Sequence, residues 1–491
     1  MHPRKFVRDS LATALSQYLA RVALLLRAVV AAAALGPLGY GAWNALNLLL
    51  DYGAYASCGA LQGLDLRLPS AAARGDRAEA RRVMAGAWSV VAIGGAVFAL
   101  ATALFLASGY RRIATPWGWG PPVLMLVAAL LQIAIQYHTG ALRAHGEFRA
   151  VSEAHATQAV LGGGLGLALV SRLGVWGLLW GWLAGSLAAL LWMRRGPLRP
   201  PLATGALREG LSLARLGFPV FAFFTASLVL RSVDRIAFVR YAGTEGLGQY
   251  SLGLMVAGLI LYLPEAAATV LYPRLSAAAQ GARDPERTRA ELKQTHRALA
   301  VALPPAVALG MVWAAPVVAW LLPAFREGVA PLRILALGAL MLSGATLPGY
   351  FVLAGGSRRR LLAMAAGVAL LTALLVFRVA AHDHRPASIA LAAAAGYAGF
   401  ALGLVALAAP GLCAGLAERL RFSAASFVPA LWAGGLAIAA CAVGAPESPA
   451  VAALRSAAVA AAYLPVLWWF GRGVGLRRLA QEWLAGRVAP A

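Results

Sequence analysis

The stretch Gly39-Tyr40-Gly41-Ala42-Trp43 returns in the second half of the chain as Gly246-Leu247-Gly248-Gln249-Tyr250. The apolar run before each copy contains a Leu-Arg pair, Leu26-Arg27 in the first half and Leu230-Arg231 in the second. Single matches arise by chance in a chain so rich in alanine and glycine. Two matches in the same order and at nearly the same offset predict that the chain contains two similar halves.

A third echo follows the glycine motif in each half. The stretch Arg67-Leu68-Pro69-Ser70-Ala71-Ala72-Ala73-Arg74-Gly75 returns as Arg274-Leu275-Ser276-Ala277-Ala278-Ala279-Gln280-Gly281. Similar halves in a hydrophobic chain are typical of membrane transporters whose substrate site lies where the halves meet. An even number of predicted spans separates the repeat starts, so both halves should have the same orientation in the membrane.

The composition indicates an integral membrane protein. Of the 491 residues, 61% are hydrophobic and only 13% are charged, whereas soluble proteins are about 25% charged. The apolar runs have the length that membrane-spanning helices need. The net charge of +24 comes mostly from loops between these runs, so membrane orientation explains it better than binding to nucleic acid. The three cysteines lie far apart and show no metal-binding or disulfide pattern.

Fourteen spans are predicted from the apolar runs. They are Leu11–Leu35, Trp43–Leu64, Val83–Ser108, Pro121–Leu142, Val151–Val170, Val175–Met193, Leu216–Val239, Leu247–Leu271, Ala298–Leu322, Pro331–Ala354, Leu361–Phe377, Ala387–Ala409, Phe427–Val443 and Ala450–Phe470. This pattern predicts an all-α integral membrane protein with two pseudo-symmetric six-helix bundles and two C-terminal helices.

The distribution of basic residues supports this count. With the N-terminus in the cytoplasm, thirty of the forty-three Lys and Arg residues fall in cytoplasmic segments and seven in periplasmic ones. Such a bias sets orientation in the membrane and predicts that both termini are cytoplasmic. The predicted domains are an N-terminal bundle (1–195), a cytoplasmic linker (196–214), a C-terminal bundle (215–411), and helices 13–14 with a basic tail (412–491).

Several charged and amide side chains lie inside the predicted spans, where a charge costs about 2.5–3.5 kcal/mol on insertion scales. Arg21 and Arg27 lie in the first span, and Asp51 lies in the second with Asn44 and Asn47 on the same face. The other candidates for substrate binding or translocation are Gln132 and Gln136 in the fourth span, Arg231, Asp234 and Arg235 in the seventh, and Glu265 in the eighth.

These residues allow two interpretations. Arg231 and Asp234 could simply form an internal ion pair between turns of one helix. Arg21 and Arg27 have no acid in their own span, and Arg27 matches Arg231 in the repeat. We therefore predict a water-filled cavity with excess positive charge, which favours an anionic ligand such as phosphate or pyrophosphate because arginine binds phosphate oxygens bidentately.

The order of motifs resembles that of a known family. The motifs are Leu35-Gly36-Pro37-Leu38-Gly39-Tyr40-Gly41-Ala42-Trp43, Asp51-Tyr52-Gly53, Arg74-Gly75-Asp76, Asp234-Arg235, Gly248-Gln249-Tyr250 and Tyr272-Pro273-Arg274-Leu275-Ser276. Over nearly the whole chain this order resembles the Wzx-like polysaccharide flippases of the multidrug/oligosaccharidyl-lipid/polysaccharide (MOP) exporter superfamily.

The resemblance implies a V-shaped, MATE-like fold and a transporter rather than an enzyme. Such proteins move undecaprenyl-pyrophosphate-linked oligosaccharide from the cytoplasmic to the periplasmic leaflet of the bacterial inner membrane, for O-antigen, capsule or exopolysaccharide synthesis. No cofactor is expected, with coupling to membrane potential, H⁺ or Na⁺ left open. The expected partners are the lipid-linked glycan and the bilayer, with polysaccharide polymerase machinery as a further candidate and no nucleic acid.

Three alternatives remain open at this point. Lipid II flippases also carry two arginines six residues apart in the first span, as at Arg21 and Arg27, and two helices after the twelve-helix core. A MATE-type cation or drug exporter would need cavity carboxylates without compensating arginines, the opposite of the balance seen here. A membrane enzyme such as a polymerase or ligase would be expected to carry a sizeable periplasmic loop, and none is predicted.

Overall fold

The computed structural model describes the backbone of residues 3–108, 117–194, 206–442 and 448–471, and side chains from Leu26 onward. The described residues form helices joined by short turns, without strands. The α-helices are α1 (Pro3–Gly53), α2 (Ala60–Ala73), α3 (Arg77–Ala107), α4 (Gly120–Ala144), α5 (Phe148–Thr157), α6 (Gly163–Leu173), α7 (Val175–Arg194), α8 (Ala206–Leu230), α9 (Val233–Ala237), α10 (Gly243–Ala279), α11 (Pro285–Leu321), α12 (Val329–Gly355), α13 (Arg358–His382), α14 (Pro386–Leu412), α15 (Leu416–Ala442) and α16 (Pro449–Gly471). Single π-helical turns follow α5 and α9, and a 3₁₀ turn precedes α12.

Thirteen helical segments of the described residues are long and apolar enough to cross a membrane. The first of them, Leu26–Gly53, combines the end of the first predicted span with much of the second. The predicted all-helical membrane fold is therefore confirmed.

The start of the chain differs from the predicted spans in two places. The predicted turn between the first two spans is reduced to one residue, Gly36, whose φ of 62° kinks α1. The predicted span Trp43–Leu64 is wrong as a continuous helix, because α1 ends at Gly53 and α2 begins at Ala60. Between these helices Cys58 and Gly59 both have positive φ, a conformation that a right-handed helix cannot contain.

The chain folds into two compact units. Unit I comprises Ala31–Gln249 and Ala365–Arg385, and unit II comprises Met1–Val30, Tyr250–Met364 and Pro386–Ala491. Helices α2 to α9 thus lie in unit I, and α8 begins within the segment predicted as a linker. The predicted division at residues 195 and 215 stays a prediction.

Glycines allow the helices of unit I to approach one another closely. A Cβ on Gly63 of α2 would collide with the backbone of Leu213 in α8. At Gly86 of α3, a Cβ would lie 2.8 Å from the backbone nitrogen of Gly210, also in α8. Small residues at such crossings let membrane helices pack by backbone contact.

Helix α7 packs against α6 in the same way. It carries a glycine on every fourth position of one face, at Gly177, Gly181 and Gly185. A Cβ on Gly181 would collide with the backbone of Gly166 in α6. At Gly185, a Cβ would lie 2.7 Å from the carbonyl oxygen of Gln158. These contacts fix the helical segment from α5 to α6 against α7.

In unit II, the last two helices are integral to the packing around α11. Side-chain hydrogen bonds join them to it, among them His296 Nε2 to Ser426 Oγ (2.8 Å), Tyr463 Oη to the Val301 carbonyl (2.9 Å) and Trp313 Nε1 to Ser456 Oγ (3.0 Å). Tyr463, His296 and Ser426 are all buried. Helices α15 and α16 therefore complete the core of unit II.

The two repeated stretches that begin at Arg67 and Arg274 precede similar local structures. After the first echo, Asp76 caps α3 by accepting a hydrogen bond from the Glu79 backbone N–H (2.9 Å). After the second, Asp284 caps α11 by accepting from the Glu286 backbone N–H (2.9 Å). An acidic cap satisfies otherwise unpaired N–H groups at a helix start.

We predict that Gly181→Ala destabilises the protein by about 1–3 kcal/mol, because the added methyl group overpacks a backbone contact. Thermal unfolding of the purified protein in detergent would measure the loss. Gly164→Ala in the neighbouring helix is the matched control, since nothing lies within 4 Å of its added Cβ. Equal thermal stability of the two variants would contradict the packing argument.

Candidate functional site

The second part of α1 presents a polar face to a cavity within unit I. Asn44, Asn47 and Asp51 are spaced by three and four residues, so they share one helix face. The cavity has a volume of about 570 Å³. Its lining residues are Asn44, Asn47, Leu50, Asp51, Ala54, Tyr55, Gln132, Trp182, Leu228, Arg231 and Arg235.

A helix break forms the part of the lining that carries the arginines. Helix α8 ends at Leu230, and α9 begins at Val233. Ser232, at the break, donates its hydroxyl to the Leu228 carbonyl (2.7 Å) and also pairs with the Tyr52 hydroxyl of α1 (2.8 Å). These bonds satisfy polar groups that a break in a membrane helix would otherwise leave exposed.

Arg235 and Asp51 form an ion pair between α9 and α1. Arg235 Nη2 lies 2.8 Å from Asp51 Oδ2, with the arginine side chain 13% exposed and the aspartate 37%. The Arg235 Nε is also buried and has no hydrogen-bond partner within the described part of the chain. Arg235 thus retains donor capacity after pairing with Asp51.

The other two charged residues at the break have different surroundings. Asp234 is fully buried, and its Oδ1 accepts a hydrogen bond from the Arg235 backbone N–H (2.7 Å). Arg231 is partly buried and lines the cavity. The lining therefore contains two arginines and one carboxylate, a composition that favours an anion.

An amide network lies behind Gln132. Gln158 Nε2 donates to Gln132 Oε1 (3.0 Å) and to Ser186 Oγ (3.1 Å). Ser186 is fully buried in α7. The network joins α4, which carries Gln132, to α7 and to the π-helical turn after α5.

The structure brings together some of the residues predicted from sequence and not others. Asp51, Gln132, Arg231 and Arg235 line one cavity, and Asp234 is buried next to Arg235. Gln136 is partly buried on α4 but is not part of the lining. Arg27 and Glu265 lie in unit II and are partly buried, whereas the side chain of Arg21 lies outside the described residues. The roles predicted for all nine residues stay predictions.

Sequence reasoning missed the aromatic and hydroxyl components of the site. Tyr55 and Trp182 line the cavity. Gln158, Ser186 and Ser232 form hydrogen bonds between the helical segments that surround it. Tyrosine, tryptophan and serine are common in membrane helices, so their presence carries no signal. Gln158 does lie in a predicted span, and the cost of its polar amide there could have identified it.

Within the described residues, no group of three His, Cys, Asp or Glu side chains could hold a metal ion.

We predict that Asp51 and Arg235 are energetically coupled. Asp51→Ala/Arg235→Ala should lose less stability than the sum of the two single variants, by about 0.5–3 kcal/mol, because each single change leaves the other charge unpaired. Thermal unfolding in detergent gives the four values of the cycle. Asp65 and Arg143 form a half-exposed pair at 3.6 Å, and their parallel cycle should give a coupling near zero. Additive losses for Asp51 and Arg235 would refute the coupling.

Comparison with known proteins gives one sequence match and several structural ones. A family model described as "Polysaccharide biosynthesis protein" matches residues 84–324. No curated protein sequence matches the chain.

The structural matches cover most of the chain. The lipid II flippase MurJ, in an inward closed conformation, is similar with a TM-score of 0.69 at 13% identity, covering 93% of this chain and 99% of that chain. An inward-facing multidrug resistance MATE family transporter of the MOP superfamily has a TM-score of 0.59 at 16% identity, covering 82% and 95%. A MOP superfamily transporter from Pyrococcus furiosus, described as having reverse polarity of its binding pocket, has a TM-score of 0.50 at 16% identity, covering 83% and 96%.

At these identities the structural likeness concerns the fold, whereas the family model concerns the sequence itself. The predicted resemblance is therefore confirmed: the chain has the fold of the MOP exporter superfamily and, over residues 84–324, the sequence pattern of polysaccharide biosynthesis proteins.

Proposed function

We propose that the protein is a flippase that moves undecaprenyl-pyrophosphate-linked oligosaccharide from the cytoplasmic to the periplasmic leaflet by alternating access. No covalent chemistry is involved in this proposal. The observation that carries it is a cavity of about 570 Å³ lined by two arginines, one aspartate and three amide side chains in a membrane-spanning unit. The match to polysaccharide biosynthesis proteins supports the glycan part of the substrate.

The charge of the lining supports a phosphate-bearing substrate. Arg231 and Arg235 each offer a planar set of donors, and arginine binds phosphate oxygens bidentately. Asp51 is the carboxylate in this lining, and it forms an ion pair with Arg235. A cation would meet a net positive lining, which argues against a cation or drug exporter.

Membrane potential would assist export of such a substrate. An inside-negative potential favours outward movement of an anion by about 2.3 kcal/mol per charge per 100 mV. In this proposal the polyprenyl tail stays in the lipid, and the pyrophosphate and glycan pass along the polar cavity.

The protein would then reside in the bacterial inner membrane with both termini in the cytoplasm, as the distribution of basic residues predicts. Supply to O-antigen, capsule or exopolysaccharide assembly, and contact with polymerase machinery, are parts of the same proposal.

Lipid II is a second candidate substrate, since it also joins a pyrophosphate to sugars on a polyprenyl chain. The fold shared with a lipid II flippase favours it, whereas the family match favours a polysaccharide precursor. The two candidates can be separated by reconstituting the purified protein in liposomes with each lipid in turn and measuring the rate of translocation between leaflets. The true substrate should be translocated faster than the other lipid.

The test in cells is the leaflet location of lipid-linked oligosaccharide in a strain that lacks this gene, read with a periplasm-only probe. We expect accumulation on the cytoplasmic side, with rescue by the wild-type gene. Arg231→Ala should be present in the membrane at normal levels but fail to rescue, because the substrate phosphate loses a bidentate partner. Arg231→Lys keeps the charge without the planar geometry, so it should rescue partially.

Arg455→Ala serves as the matched control, because Arg455 also lies within a helix long enough to span the membrane but belongs to unit II. This variant should rescue fully. Normal exposure of the glycan in the deletion strain, with no redundant flippase present, would overturn the proposed function. If both Arg231 variants were missing from the membrane, the result would instead indicate that this arginine stabilises the fold.

A further inference from the structure

We infer that the amide side of the cavity in unit I is a subsite for the sugar next to the phosphate, and that Gln158 is its positioning residue. The inference rests on the proposed function, since it deepens the description of the substrate. It assigns separate parts of the substrate to separate walls: the phosphate to the arginines of the helix break, and the sugar hydroxyls to Gln132 and Asn44.

The hydrogen bonds of Gln158 define the orientation of Gln132. A glutamine amide nitrogen carries two hydrogens, and those of Gln158 are used by Gln132 Oε1 (3.0 Å) and Ser186 Oγ (3.1 Å). The amide oxygen of Gln132 therefore already accepts a hydrogen bond from a residue that does not line the cavity. What Gln132 retains for a ligand is its NH₂ group, which is a donor.

Asn44 is oriented in the opposite sense. Its Nδ2 donates to the Tyr40 carbonyl one turn earlier (2.9 Å). Asn44 therefore retains its amide oxygen, which is an acceptor, and one amide hydrogen, which is a donor. One wall of the cavity thus offers both a donor and an acceptor. A phosphate oxygen only accepts hydrogen bonds, whereas a sugar hydroxyl both donates and accepts, so this wall matches a sugar.

The backbone around Gln158 keeps this orientation fixed. Gln158 starts a π-helical turn that spans Gln158–Gly162, a local deformation that often occurs at functional sites. A Cβ on Gly185 would lie only 2.7 Å from the backbone carbonyl oxygen of Gln158. Ser186, which accepts a hydrogen bond from the Gln158 side chain, is fully buried. Gln158 is thus held by the close packing of the α5–α6 segment against α7.

The rest of the lining suits a sugar as well. Trp182 and Tyr55 add aromatic surface to the cavity, and pockets for small ligands typically combine such surface with a few placed polar groups in about 300–1,000 Å³. Arg235 lines the same cavity. A phosphate held there would have its attached sugar within the same cavity.

The test compares binding of two lipids to the purified protein in liposomes: undecaprenyl diphosphate carrying one N-acetylhexosamine, and undecaprenyl diphosphate without sugar. Wild type should bind the glycosylated lipid more tightly. Gln158→Met, similar in shape but without hydrogen bonds, should weaken binding of the glycosylated lipid by about tenfold, the effect of one lost hydrogen bond. Binding of the sugar-free lipid should stay within about twofold of wild type, because the phosphate wall is untouched.

Two further variants complete the experiment. Thr157→Val is the matched control at the adjacent position, since the Thr157 hydroxyl bonds to the Glu153 carbonyl of its own helix (2.8 Å); both lipids should bind it as they bind wild type. Gly185→Ala displaces the Gln158 backbone without removing its amide, and it should reproduce the selective loss.

The outcomes separate this inference from the proposed function. Equal weakening for both lipids in Gln158→Met would overturn the positioning role, and equal affinity of wild type for both lipids would overturn the sugar subsite. In either case a wild type that still binds and translocates lipid-linked pyrophosphate leaves the proposed function intact. A wild type that binds neither lipid removes the proposed function, and this inference with it.

Discussion

The ion pair between Arg235 and Asp51 is the interaction on which the arrangement of unit I depends. Charges in a membrane-spanning helix are costly unless they are paired. By pairing across 2.8 Å, these residues hold the polar face of α1 against the segment that follows the break in α8. Tyr52, next to Asp51, bonds to Ser232 within that break. The broken helix, the paired charges and the polar cavity therefore stabilise one another.

The same pair limits how tightly an anion can bind. In the proposed function, a phosphate that approaches Arg235 must compete with Asp51 for the same guanidinium, whose Nε is buried. A transporter needs binding that is strong enough to admit its substrate and weak enough to release it. Arg231 in the same lining supplies a second contact. Two arginines together with a carboxylate meet this requirement better than two arginines alone.

The sequence identified those residues whose chemistry is conspicuous in a membrane helix. Asp51, Arg231 and Arg235 could be found because a charge in an apolar run is energetically costly and therefore indicates a structural or functional role. The break between Gly53 and Ala60 was missed, because Gly53 and Gly59 are common residues in membrane helices and nothing in the sequence marks the positive φ of Cys58. Trp182 was missed for the same kind of reason: only the three-dimensional structure distinguishes a tryptophan that lines a cavity from one that faces lipid.

The two walls of the cavity differ in how firmly they are held. The amide wall is supported by backbone contacts between α6 and α7, where Gly181 leaves no room for a methyl group. The arginine wall lies at a helix break, where Ser232 replaces regular helical hydrogen bonds with bonds from its side chain. Close-packed helices resist displacement, whereas broken helices at membrane depth occur where they line a cavity and bind substrate or ions. In the proposed function, the close-packed wall would therefore hold the sugar in a fixed orientation, and the charged groups at the helix break would bind the phosphate.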